Sequence, residues 1–187
     1  MKLFCPFLSA LALVEGDDVL NRNDFQTCPA IGGPHGMDFY DILGMDYGGK
    51  VKSISICHGH RVDGIVMSYV YPHGASIDRY HGRKKKCQSF DLAPDEYITH
   101  WEAHTVKADR KTKVCYVRFT NNKGVSFEGG HNTSNENNKA GCDAPEGYQL
   151  GGIFGREGDE IDALGPIWVK LDAPQSNPEL DTIQHPL

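Results

Sequence analysis

The sequence predicts an all-β domain, and three observations carry that prediction. No stretch keeps a helical period beyond one turn, whereas short runs alternating apolar and polar residues recur along the chain. About ten to twelve such runs are separated by turns rich in glycine, proline, asparagine and aspartate, the spacing of a sandwich, barrel or prism. Composition agrees, because 21 glycines and many valines, isoleucines and aromatics suit pleated strands joined by tight turns. The 187 residues suffice for one domain with a real core. A formal charge of -6 provides no general attraction to nucleic acid, so that class of partner is not expected.

The elements follow in order. Residues 1–14 read as a secretion signal: Lys2 is followed by an almost wholly apolar Leu3 to Leu13, with the small residues Ala10 and Ala12 for cleavage. The run is too short to span a bilayer, and no other stretch is a transmembrane candidate. The chain is therefore expected outside the cell. Residues 15–29 read as an acidic linker, 30–172 as the folded domain and 173–187 as a disordered tail with three prolines.

Cys28 to Gly36 contains Gly32-Gly33-Pro34-His35-Gly36, a tight exposed loop after a short strand. Met37 to Asp41 starts the next strand. Val51 to Cys57 alternates, with Lys52, Ile54 and Ile56 on one face and Val51 on the other, and pairs with Val62 to Tyr71 as a hairpin. Ile77 to Tyr80 is a short strand, followed by the basic run Arg83-Lys84-Lys85-Lys86. Phe90 and Leu92, then Tyr97, Ile98 and Trp101, mark two more strands. Lys107 to Lys113 reads as a charged turn, and Val114 to Phe119 alternates cleanly before Val125 to Phe127 pairs back. Glu128 to Gly147 is the longest stretch without strand character, and loops of that length in compact domains are usually functional or disordered. Tyr148 to Phe154 and Pro166 to Leu171 are the last strands.

Six cysteines are present. Cys5 lies in the predicted signal, which leaves Cys28, Cys57, Cys87, Cys115 and Cys142. Secretion permits disulfides, and the odd count leaves at least one thiol unpaired or paired between chains. Which cysteines pair is open at this level. No CxxC spacing supports a zinc site. Asn132-Thr133-Ser134 is a sequon, so Asn132 is a candidate for glycosylation on a surface loop.

The stretch Gly151 to Gly165 holds the most chemistry. Two apolar arms flank a turn, Gly158-Asp159-Glu160-Ile161-Asp162. Glycine there permits consecutive N–H groups to face one concavity, and Asp162 adds an ionised acceptor. Donors and an acceptor in one small turn suit a ligand with adjacent hydroxyls, since each hydroxyl both donates and accepts.

Several stretches, in this order, resemble the jacalin-related lectins. They are Gly32 to Gly36, Val51 to Ile56, Arg61 to Ile65, Leu92 to Ile98, Phe119 to Gly124 and Gly151 to Gly165. The resemblance covers roughly Ala30 to Leu171, and the last stretch is the family's most diagnostic. It implies a β-prism of three four-stranded Greek-key sheets that binds carbohydrate without metal or cofactor. It further implies a site where the glycine loop meets the last hairpin turn. Gly158 and Asp162 match the family's Gly-x-x-x-Asp pattern. By that match Asp162 accepts from two sugar hydroxyls, the N–H groups of Asp159 and Glu160 donate, and Gly36 donates from the glycine loop. Gly130 and His131 are expected as the third wall. The galactose-preferring members are cleaved before a glycine and often carry an aromatic near the aspartate. This chain runs uninterrupted through Gly32 to Gly36 and has no such aromatic, so the resemblance implies mannose or glucose. His60 stands where members with a second site often have an acid. One site of this kind has a dissociation constant on the order of 1 mM, about -4 kcal/mol. Useful avidity then needs several copies, as in a homo-oligomer.

Other readings are weaker. Glu157, Asp159, Glu160 and Asp162 evoke a glycosidase, but acid catalysis needs a buried carboxyl, and the turn reads as solvated, so an enzyme is not expected. The same acids are expected to repel anionic ligands. His58 and His60 as metal ligands amount to isolated turn histidines. The alternative function is binding of a polyanion, a heparan-type glycan or anionic lipid, through Arg83, Lys84, Lys85 and Lys86, as is thought of some animal secretory-granule members of the family.

Overall fold

The computed structural model describes residues 25–41 and 49–171. The predicted signal and tail, and the first part of the predicted linker, lie outside the described residues. The strands are β1 (Phe25–Thr27), β2 (Ile31–Gly32), β3 (Met37–Tyr40), β4 (Lys50–His58), β5 (Val62–Val70), β6 (Ser76–Gly82) and β7 (Cys87–Asp91). They continue as β8 (Ile98–Ala108), β9 (Lys111–Asn121), β10 (Ser126–Gly130), β11 (Lys139–Asp143), β12 (Tyr148–Glu157) and β13 (Ile161–Lys170), with a 3-10 turn at Glu136–Asn138.

They form three antiparallel sheets. The first has the order β1-β13-β12-β3, with the two-residue β2 also on β13; the second is β10-β9-β8-β11; the third is β6-β5-β4-β7. Each sheet turns its apolar face toward one shared core, in which Trp168, Leu150 and Ile153 of the first sheet meet Trp101, Val117 and Phe119 of the second and Ile54, Ile65 and Tyr69 of the third. The result is a three-sided prism of β-sheets, as the resemblance implies.

Differences from the sequence reading have local causes. Simple alternation sets Val51 on the face opposite Ile54 and Ile56, yet all three are buried. A register shift between Val51 and Ser53 reverses the alternation there, as a bulge does. The charged stretch Lys107 to Lys113 is not a long turn. β8 and β9 run through it and reverse at Asp109 and Arg110, whose φ values of 49° and 64° are those of a two-residue primed hairpin turn. Glu128 to Gly147 contains β11, paired residue for residue with β8 from His100 to His104. Ala140 and Gly141 have little β preference of their own, and the edge of β8 supplies the order. Phe25–Thr27, inside the predicted linker, pairs with Ile167–Val169 as β1.

Among the described residues two disulfides form, Cys28–Cys142 and Cys57–Cys87, and the cysteine left over is Cys115, reduced and buried.

Candidate functional site

Strand pairing brings the glycine loop onto the last hairpin. β2 pairs with β13 at Ala163 and Leu164, and β3 pairs with β12 from Phe154 to Glu157. The loop between β2 and β3, residues 33–36, must therefore cross over the turn between β12 and β13. Gly33 N–H donates to Asp162 O at 2.8 Å. Arg156 clamps the loop, donating to His35 O at 3.0 Å, Gly36 O at 2.9 Å and Asp38 Oδ1 at 2.5 Å. Gly36 adopts φ of 75°, and a Cβ there would lie 2.8 Å from Asp162 Oδ2. Only glycine suits that position, on backbone and on space.

The tip of the hairpin is smaller than the sequence indicates. Gly158, Asp159 and Glu160 form the turn, while Ile161 and Asp162 already belong to β13 and are buried. Gly158 N–H is spent on Glu160 O at 3.0 Å, whereas the N–H groups of Asp159 and Glu160 take no part in the backbone hydrogen bonds of the turn. Asp162 is only 1% exposed, so the expectation of a solvated tip fails at the residue that matters most. Its Oδ1 lies 2.6 Å from Lys113 Nζ, an electrostatic contact outside hydrogen-bonding angles, and that buried oxygen has no hydrogen-bond donor. Its Oδ2 faces Gly36 and Gly158.

The third side is built by the β8–β9 hairpin. A Cβ on Gly33 would lie 2.5 Å from Thr112 O, and Lys113 follows on the same strand. Gly130 and His131 stand at the end of β10, where Gly130 pairs with Tyr116 and His131 N–H donates to Cys115 O at 2.7 Å. Thr112, Lys113 and Arg156 escape the sequence reading. The charged run Lys107 to Lys113 is the only signal, and it carries no register.

Each acid of the turn meets a cation or a donor. Glu160 takes Arg61 in a two-bond fork, at 2.9 and 2.7 Å, which holds its carboxyl below the usual range. Asp159 pairs with Arg83 at 2.8 Å, and Asp162 with Lys113. Glu157 accepts from the Gly82 N–H and lies 3.2 Å from His81 Nδ1. The expected anion-repelling tip is therefore a neutralised one. The basic run is likewise partly committed, since Arg83 pairs with Asp159 and Lys84 Nζ sits 4.6 Å from the centroid of the Tyr80 ring.

His81 ties the site to the first sheet. It is buried, stacks on Phe39 at 3.9 Å, and faces Asp41 through Nε2 at 2.9 Å and Glu157 through Nδ1. Burial alone would pull its pKa down; the hydrogen bonds and charges of Asp41 and Glu157 outweigh burial and raise it. The protonated form is thus favoured in the fold. Its contribution is complete below the unfolded pKa, about 6.5, and is lost as pH rises through the higher folded value, at about 1.4 kcal/mol per unit of difference. Urea unfolding between pH 6 and 8 should show declining stability, and His81→Gln should flatten that slope; equal slopes would remove His81 as the cause.

Asn132 is exposed, directly after β10 and ahead of the 3-10 turn. Among the described residues no group of three or more His, Cys, Asp or Glu is placed to hold a metal ion, and no helix is long and apolar enough to cross a membrane.

Comparison with known proteins agrees with this architecture. A family model described as the Jacalin-like lectin domain matches residues 28–167. The chain is 34% identical over 172 residues to a protein named Secreted RxLR effector protein 19 from Plasmopara viticola, covering 91% of this chain and 96% of that one. Among solved structures it is similar to Malaysian banana lectin, with a TM-score of 0.65 and 22% identity, covering 78% of this chain and 99% of the lectin. It is also similar to a mannose-binding jacalin-related lectin from Ananas comosus, with a TM-score of 0.65 and 18% identity over 79% of this chain and 99% of that one. Artocarpin, solved with methyl-α-mannose, gives a TM-score of 0.64 at 22% identity, over 78% of this chain and 98% of that one. These structural likenesses establish the β-prism. With the family match across the whole prism, the chain belongs to the Jacalin-like lectin domain family, whose members bind carbohydrate and are not enzymes.

Proposed function

We propose that this protein is a secreted, metal-independent lectin whose site lies where the glycine loop, the β12–β13 turn and the β8–β9 hairpin meet. The observation that carries the reading is Asp162. Its Oδ1 is already faced by the Lys113 ammonium at 2.6 Å, while its Oδ2 faces Gly36 and Gly158, so a hydroxyl entering between those glycines meets a carboxylate acceptor. The N–H groups of Asp159 and Glu160 supply donors at the rim. Gly36 and Gly158 form the remaining edge, and Gly130 and His131 would contribute an outer wall. Because Asp162 is so little exposed, a sugar reaches it only if the Lys113 ammonium shifts or the loop at Gly36 lifts.

Mannose- or glucose-type glycans fit best. The glycine loop is continuous from Gly32 to Gly36, and the tip carries no aromatic residue. The similar lectin from Ananas comosus is described as mannose binding. Secretion is supported by the apolar N-terminal run and by the relative named as a secreted effector. The exposed sequon at Asn132 is compatible with passage through a secretory compartment. Avidity would come from several copies in one assembly.

The test is a glycan array with the full chain, with and without methyl α-mannoside and a metal chelator. Expected is signal on mannose-type glycans that the free glycoside competes away and the chelator leaves intact. Signal confined to sulfated glycans would transfer the function to the basic run, where Lys85 and Lys86 are exposed and without ion pairs among the described residues. Loss of signal with chelator would refute the metal-free reading.

A further inference from the structure

A second feature lies away from this site, on the side of the prism. β3 is the edge of the first sheet and β6 the edge of the third, and a cleft of about 400 Å³ runs between them. Phe39, Tyr40 and Asp41 line one wall and Asp78 to His81 the other. Asp162 and the glycine loop are not part of it.

The lining is of an unusual kind for an idle surface. Tyr40 and Tyr80 are 44% and 49% exposed, both among the most exposed large hydrophobic residues described. Asp78 is held in place from two sides, accepting from Ser68 Oγ at 2.7 Å and from the Tyr80 hydroxyl at 3.1 Å. Those two bonds keep its carboxyl ionised to lower pH than usual. Arg79 makes no ion pair or hydrogen bond among the described residues, so its guanidinium donors remain available at the wall. The floor is fixed by the His81 pairs to Asp41 and Glu157. The acceptor and the ring beside it are therefore positioned before anything binds.

The occupant follows from that chemistry. A carboxylate at the wall disfavours anions, while Arg79 at the wall and Lys84, which lies outside it over one face of the Tyr80 ring, disfavour cations. The exposed Tyr40 ring and the face of Tyr80 that Lys84 does not cover favour a ligand with a flat C–H face. A fixed acceptor next to free donors favours hydroxyls, which need both. A neutral pyranose has that face and that rim. We propose that the cleft between β3 and β6 is a second carbohydrate site, binding a neutral pyranose through Tyr40, Tyr80, Asp78 and Arg79. The inference does not depend on the site at Asp162, because the two share no lining residue.

Amide NMR titration of the full chain with methyl α-mannoside, methyl β-glucoside and methyl α-galactoside in turn tests this. At least one glycoside should shift residues 39–41 and 78–81 with a dissociation constant on the order of 1 mM. The shifts should persist in Asp162→Asn. They should weaken by roughly tenfold in Tyr80→Ala and in Asp78→Ala, both exposed positions whose replacement leaves the core untouched. Shifts at the hairpin turn without shifts in the cleft would overturn this proposal and leave the lectin site standing. Cleft shifts that vanish in Asp162→Asn would also overturn it, by making them a relay from the other site. Cleft shifts that follow protein concentration without sugar would overturn it too, by making the face a contact between copies. Cleft shifts without any at Gly36 or residues 158–162 would support it while removing the site at Asp162.

Discussion

Replacing Asp162 with alanine is expected to abolish glycan binding and to cost the domain about 3–5 kcal/mol, the range for breaking a buried ion pair from one side. The binding loss follows from removal of the carboxylate beneath the glycine loop. The stability loss follows from Lys113, whose ammonium is 13% exposed and would be left without its partner. The two effects separate in a cycle. Lys113→Met alone leaves the carboxylate buried and uncompensated, whereas Asp162→Ala with Lys113→Met removes both charges and should be less destabilised than either single variant. Urea unfolding gives the stabilities and calorimetry with methyl α-mannoside the binding. Full binding by a folded Asp162→Ala variant would defeat the site. A double variant as unstable as the sum of the singles would defeat the pair.

Removing the disulfide between Cys28 and Cys142 should cost at least as much stability, about 5 kcal/mol. The bond closes a segment with a sequence separation of 114 residues, and the chain-entropy cost it saves in the unfolded state grows with the logarithm of that length. It also has a specific role. Cys28 lies between the three-residue β1 and the two-residue β2, both short, and the glycine loop follows directly. Without the bond, that segment is held mainly by those strands and by the Arg156 clamp. Cys28→Ser with Cys142→Ser should therefore lower both the urea midpoint and the glycan affinity. The pair Cys57 and Cys87 spans a separation of 30 and joins β4 and β7, which already pair, so its removal should cost roughly 1 kcal/mol less and leave binding alone. A midpoint unchanged by the first replacement, or binding lost with the second, would contradict this account.

The site is partly legible in the sequence. The glycine loop announces itself because glycine is needed at Gly32 and Gly36, where the backbone takes a positive φ and approaches another strand, whereas Gly158 takes an ordinary φ and has room for a Cβ. The burial of Asp162 is not legible there. It depends on the Lys113 side chain arriving from another sheet, and nothing near Asp162 in the sequence signals it. Arg61 and Glu160, 99 residues apart, are a similar case. Reading four acids as a repelling tip counts charges along the chain, whereas the field depends on which cations the other loops bring.

That the strands form a prism came from the family resemblance; what the sequence determined by itself was an all-β domain, from alternating runs, turn residues at regular intervals and a glycine-rich crossing loop. These are properties of single strands and turns, and period and backbone sterics act within a few residues. The tertiary structure decided which cysteines join, that β11 forms on the edge of β8, that Asp162 lies under the rim with Lys113, and that two sheet edges leave a tyrosine-lined cleft. Each arises only when the three sheets close on one core, because contact, burial and charge pairing depend on distance in space and not on position along the chain.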